Sequence, residues 1–237
     1  MSTPFSPAGS RTQQVQTVEA ARGFVADVFG WMFLGLAVTA GVAALFAGSH
    51  DMTQWAEDHG TAVLIILIAQ VALVFGLIFA LNRISAAVAR LLFLLYAASL
   101  GFTFSFILQA YTTSSIVSTF VVTAGMFGAA AAYGWITKRD LTMVGQIAFF
   151  GIVGLILTMI VNIFLRSSTV EYVISIVGVI LFTGLTAYDT QKVKQTAALA
   201  TGDGEAERKA AIFGALALYL DFINMFLFLL RIFGGSR

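Results

Sequence analysis

The sequence predicts an all-α integral membrane protein of seven transmembrane helices. Three observations predict the spans. Of the 237 residues, 59% are hydrophobic and only 11% charged, far from the composition of soluble domains. Seven apolar stretches approach the roughly 20 residues that a helix needs to cross a hydrocarbon core about 30 Å thick. Finally, Lys and Arg gather in alternate connections, as the positive-inside rule requires.

Taken in order, residues 1–12 carry Pro4, Pro7 and several Ser, Thr and Gly, a composition expected to be disordered. From Gln13 the spacing Val15, Val18, Arg22, Val25 fits either a short amphipathic helix on the inner surface or an extension of the first span. The spans follow at Val28 to Ala47, Ala62 to Leu81, Leu91 to Ala110, Ile116 to Ile136, Met143 to Leu165, Val173 to Tyr188 and Ile212 to Phe233. Most connections are short, which makes neighbouring helices antiparallel and adjacent. The domain reading is therefore a polar cytoplasmic segment, 1–27, and one transmembrane domain, 28–237. The exception is the connection from Gln191 to Ala211. Close helix approach is expected at Ala97 with Gly101, at Gly125 with Ala129, and along Gly128 to Gly134, where small residues lie one turn apart.

With the N-terminus inside, inner segments hold Arg11, Arg22, Arg83, Arg90, Lys138, Arg139, Lys192, Lys194, Arg208 and Lys209, while outer ones hold Arg166, Arg231 and Arg237. This charge asymmetry places the N-terminus in the cytoplasm and the C-terminus outside. The net charge of +1 points to no nucleic-acid partner. Absence of cysteine excludes disulfides, Cys-ligated zinc and a thiol nucleophile. The first apolar run is too long for a signal-peptide core and is read as a retained helix. His50 and His59, with Asp51, Glu57 and Asp58, read as a solvated loop and not as a metal site.

Function is sought at two carboxylates. Asp221 lies deep in the last apolar run, and Asp189 closes the run before it. A carboxylate in mid-membrane costs roughly 2.5 to 3.5 kcal/mol on insertion scales, so it is kept where it faces protein or water and has a role. On a helix of 3.6 residues per turn, Asp221, Asn224, Phe228 and Arg231 share one stripe, which should face other helices or a cavity. The simpler roles are an interfacial carboxylate paired with Lys192 or Lys194 for Asp189, and a structural hydrogen bond to Asn224 or a tyrosine for Asp221. If the carboxylates meet, they cannot both ionise easily at low dielectric and would share a proton, which makes them a pH sensor. Depth is the obstacle: counted from Lys209 and Lys192, Asp221 lies about 18 Å in and Asp189 only about 4 to 5 Å. Contact requires the seventh helix to begin below the membrane surface or to tilt. Gln70 and Asn162 are candidates for lining a path, and other buried hydroxyls read as interhelical hydrogen bonds.

Gly184 to Lys192 (GLTAYDTQK) and Leu218 to Gly234 (LYLDFINMFLFLLRIFG) resemble the two C-terminal signatures of the Bax inhibitor family, the transmembrane Bax-inhibitor-motif proteins. Phe29 to Met32 and Tyr133 to Asp140 extend the likeness, which is to a bacterial member. The resemblance implies a multi-pass protein of the bacterial inner membrane, with a central seventh helix wrapped by the other six. It also implies a pH-responsive calcium leak gated by two aspartates, which fall on Asp189 and Asp221. A basic residue at the inner end of the second helix can pair with the second aspartate in that family, and Arg83 falls in that region. Some relatives bind a membrane-anchored AAA protease, which gives a second expectation: a non-conducting regulator.

The leading expectation is a proton-sensitive calcium leak, not an enzyme and without a resident cofactor, whose partners are the lipid bilayer, calcium ions and protons. Calcium takes six to eight oxygen ligands; Asp189 and Asp221 with Asn224 fall short, so binding there should be transient. An intramembrane aspartyl protease is the remote alternative, since two carboxylates sharing a proton suit peptide hydrolysis. Against it, Leu218-Tyr-Leu precedes Asp221 in place of Gly-x-Gly, and no later Pro-Ala-Leu follows.

Overall fold

A computed structural model describes residues 7–47, 54–56, 58–80, 83–200 and 204–235, with residues 7–17 described by their backbone alone. Seven long helices dominate them: α1 (Pro7–Phe46), α2 (Gly60–Ala80), α3 (Ala86–Gln109), α4 (Thr113–Ile136), α5 (Thr142–Leu165), α6 (Ser168–Ala197) and α7 (Glu205–Phe233). Each contains a stretch long and apolar enough to span a membrane, so the seven expected spans are present.

Three boundaries differ most from expectation, the last being the start of α7 at Glu205 in place of Ile212. Residues 7–12 are helical, and α1 continues unbroken across residues 27 and 28, so the amphipathic stretch is an extension of the first span. Pro7 at the first helical position costs no intrahelical hydrogen bond, and no later proline interrupts the run. Residues 1–6 lie outside the described residues. The second difference is in α6, which does not stop near Tyr188 but runs on to Ala197. Its last turns bury Thr190, Gln191, Val193 and Ala197, and this tertiary burial sustains a helix whose sequence has already turned polar.

The short connections are closed by side chains. Ser85, Thr112 and Ser167 each accept a hydrogen bond from a backbone N–H in the first turn of α3, α4 and α6 respectively, the expected chemistry of an N-cap. Asp140 accepts from Thr142 N at 2.9 Å and from the Thr142 hydroxyl at 2.6 Å at the head of α5. Arg166 ends α5 in the left-handed conformation, with φ of 49°.

α7 is the most enclosed helix: 67% of its apolar window is buried, against 11% to 39% in the others. It packs on α6, α1, α4 and α3, whereas α2 packs chiefly on α3 and α5 on α6. Four helices therefore make the main packing around α7, with α2 and α5 set outside them. Aromatic contacts fill the inner layer. Phe222 meets Phe120 and Phe127 edge-on at 5.6 and 5.5 Å, and Phe226 stacks on Phe104 at 6.1 Å. Tyr219, fully buried, lies edge-on to Phe93 and Tyr96 at 5.5 and 6.0 Å. The Thr39 hydroxyl donates to Ala97 O at 2.9 Å. Its one proton is thereby used, so Tyr219 donates to Thr39 across 2.6 Å. One hydrogen-bonded chain thus ties α1, α3 and α7 together.

Small residues act at some expected places and not at others. Gly101 presses on the α1 backbone, where a Cβ would come within 2.6 Å of Thr39 O. Gly125 instead has nothing within 4 Å of an added Cβ, and Ala129 is exposed; this pair faces outward. The close approach of α4 is made by Gly134, directly against the Ala187 carbonyl of α6.

Candidate functional site

Two contacts fix the register between α6 and α7. Val193 lies beside Gly214, where an added Cβ would be 3.2 Å away, and Gly178 accommodates the Phe228 ring, which would come within 2.5 Å of a Cβ. In an antiparallel pair, this register sets Thr186 level with Asp221. It sets Asp189 level with Ala217 and Leu218, one turn, or about 5 Å, nearer the end that carries Lys192, Lys194 and Lys209. The depth obstacle disappears because Lys192 and Lys209 are not level. Lys209 lies about one and a half turns farther out than Lys192, in a first stretch of α7 where Glu205 accepts from Ala86 N at 2.7 Å and Lys209 donates to Ile84 O at 3.1 Å.

The segment Ala187-Tyr188-Asp189 is gripped from two sides. Gly134 of α4 abuts the Ala187 carbonyl, and Gly145 of α5 abuts the Tyr188 ring, 2.6 Å from an added Cβ. Lower down, the Gln191 side chain accepts from Leu141 N at 2.9 Å and donates to Arg139 O at 2.8 Å, which ties α6 to the connection between α4 and α5. Asp189 thus stands on a stretch of helix held by contacts from α4, α5 and their connection.

The two carboxylates occupy unlike surroundings. Asp221 is 3% exposed, and its Oδ2 has no hydrogen-bond partner. Asp189 is half-buried and lines a cavity of about 210 Å³ with Phe24, Lys192, Val193, Phe213 and Ala217. They lie close enough to interact electrostatically, and Lys192 adds an opposite charge on the Asp189 side. The Thr186 side chain lies within hydrogen-bonding reach of Asp221, and its hydroxyl also lies 2.8 Å from Phe182 O. Having one proton, that hydroxyl can donate to the carboxylate or to the carbonyl, not to both. Thr190, with a buried hydroxyl lacking a partner, is next to Asp189 in sequence. Asp189 lines the cavity, and Asp221 is not among the residues that line it.

The other candidate residues fall elsewhere. Asn224 is half-buried and donates its amide to Leu220 O at 2.8 Å on its own helix, not to Asp221. Of the stripe, Asp221 and Phe228 face inward, while Arg231 is exposed, 6.0 Å from the Phe228 ring. Arg83 is exposed in the turn before α3, away from the buried carboxyl of Asp221. Gln70 donates to Ser99 O and to the Thr103 hydroxyl, both at 2.8 Å, fastening α2 to α3. Asn162 accepts from Ser167 N at 3.1 Å at the end of α5. Gln70 and Asn162 therefore have local structural partners and are not brought to the aspartates. His59 stacks on Trp55 at 5.3 Å; His50, Asp51 and Glu57 lie outside the described residues. Among those residues, no group of three or more His, Cys, Asp or Glu is placed to hold a metal ion.

The sequence model of the family described as "Inhibitor of apoptosis-promoting Bax1" matches residues 21–237. This chain belongs to the Bax inhibitor family. It is 46% identical over 224 residues to the inner membrane protein YbhL of Escherichia coli K12, covering 94% of this chain and 96% of that one. It is 47% identical to a protein of Deinococcus radiodurans, covering 95% of each, and 40% identical to one of Borreliella burgdorferi, covering 95% of this chain and 97% of that one. Within this Bax inhibitor family protein, sequence reasoning missed Thr186, Gln191 and Glu205. Thr186 sits three residues before Asp189 and therefore on its face, a signal that was available. The ties made by Gln191 and Glu205 to distant backbone groups have no local signature.

Proposed function

We propose that this protein is a pH-sensitive calcium leak of the inner membrane, gated by Asp189 and Asp221. The observation that carries the reading is the contrast between the two acids. One lines a cavity at the lysine-bearing end, and the other stands a turn deeper with an unpartnered oxygen. Carboxylates so close in a medium of low dielectric repel one another strongly when both are ionised. A single proton held between them removes that repulsion and allows α6 and α7 to remain packed. A change in protonation alters this balance at the plane where the cavity ends, and the seam between α6 and α7 is the element that opens.

The proton is the signal and the cation the cargo. Two carboxylates with the hydroxyls of Thr186 and Thr190 offer fewer oxygens than the six to eight that calcium takes, so a passing ion keeps part of its water and leaves quickly. Purified protein in liposomes loaded with a calcium indicator tests this. The reading expects calcium entry above that of empty vesicles and a rate that changes several-fold between about pH 5 and 8. Entry no faster than in empty vesicles at every pH contradicts it.

A further inference from the structure

A second cavity, of about 490 Å³, lies outside the aspartate site, along α1, α6 and the end of α4. Its floor is apolar, formed by Val18, Val25, Phe29 and Ala197, and two cations, Arg22 and Lys194, stand along it. No carboxylate is among its lining residues. Lys194 donates to Trp135 O at 2.5 Å, with its ammonium 6.0 Å from the Trp135 ring, and tryptophan is characteristic of the membrane–water boundary.

We infer that this groove binds an anionic phospholipid, with an acyl chain along the α1 and α6 floor and the headgroup phosphate at Arg22 and Lys194. The apolar floor favours a lipid over a soluble anion, since a free phosphate gains nothing from Val18, Val25 or Phe29. The volume falls within the roughly 300–1,000 Å³ of ligand pockets, large enough for part of a lipid. One opposing effect is present. α4 and α6 both end here, and the carbonyls at helix C-termini disfavour an anion. Lys194 already faces the Trp135 carbonyl, so the more exposed Arg22, whose guanidinium can grip a phosphate through two parallel hydrogen bonds, is the principal headgroup partner. This inference is independent of the leak reading.

The test uses full-length protein with Trp31→Phe and Trp55→Phe, in which Trp135 is the sole tryptophan. It is reconstituted in vesicles containing either brominated phosphatidylglycerol or brominated phosphatidylcholine in a phosphatidylcholine background. Because cations near a membrane surface attract anionic headgroups, Trp135 is expected to be quenched on the order of ten-fold more effectively, per mole of brominated lipid, by phosphatidylglycerol. Arg22→Gln with Lys194→Gln should abolish that preference, with calcium-independent thermal unfolding showing that the double variant is folded. Equal quenching by both lipids overturns the inference, as does a preference that survives in the folded double variant. A preference erased by millimolar inorganic phosphate reassigns the groove to a soluble anion and overturns it too.

Discussion

Asp221 stands level with Thr186 and one helical turn deeper than Asp189 across the interface between α6 and α7. The relationship follows from where Val193 meets Gly214 and Phe228 meets Gly178, contacts made several turns apart on the same two helices. Both carboxylates belong to long helices that pack against one another and against α1 and α4.

Packing around Asp189 depends on Gly134. Gly134→Ala places a methyl on the Ala187 carbonyl and should lower stability by about 1–3 kcal/mol, the usual cost of overpacking. Gly125→Ala adds a methyl where nothing lies within 4 Å and should be neutral or stabilising by up to about 1 kcal/mol through helix propensity. Thermal unfolding of both variants in the same detergent decides the point.

The chain from Tyr219 to Thr39 to Ala97 gives an asymmetric pair of outcomes. Tyr219→Phe removes one interhelical hydrogen bond and leaves Thr39 bonded to Ala97, costing on the order of 0.6 kcal/mol. Thr39→Val removes both bonds and strands the buried tyrosine hydroxyl, costing about 1–3 kcal/mol. Denaturation of the two variants should rank them in that order, and the reverse order would rule out the donor assignment.

Asp140 supplies a pH dependence outside the spans. Hydrogen bonds from the side chain and backbone of Thr142 hold its carboxyl below the ordinary value of 3.8. A depressed folded-state value means that the stabilisation is fully present above the unfolded value. It is lost as pH falls through the lower, folded one. Asp140→Asn should therefore unfold at a lower temperature than the parent at pH 6, and the gap should close as the pH is taken below about 3.8. A gap that is constant with pH would mean that the charge of Asp140 contributes nothing.

The sequence revealed the number of spans and the importance of the two acids because both are matters of residue type. Twenty apolar residues or one buried carboxylate can be recognised without knowing what lies alongside. Register is different. Lys192 marked a membrane surface by its charge, yet α6 continues to Ala197 with Thr190 and Gln191 buried, Gln191 being bonded to the connection between α4 and α5. The depth of Asp221 relative to Asp189 was set by the register between α6 and α7, in which Lys192 and Lys209 are not level. The same limit explains why Gly125 and Gly134 could not be told apart, since identical residues on one helix differ only in which neighbour they meet.

Whether the two acids act as one unit is the central claim, and a double-mutant cycle on calcium flux tests it most directly. The pH profile of flux is measured between pH 5 and 8 for the parent, Asp189→Asn, Asp221→Asn and the double variant, with equal folded protein in each liposome sample. If a proton is shared, either single substitution removes most of the pH response, and the double variant behaves like the singles. If each single substitution removes only its own part and the double variant shows their sum, the acids titrate independently, and the shared-proton gate is wrong.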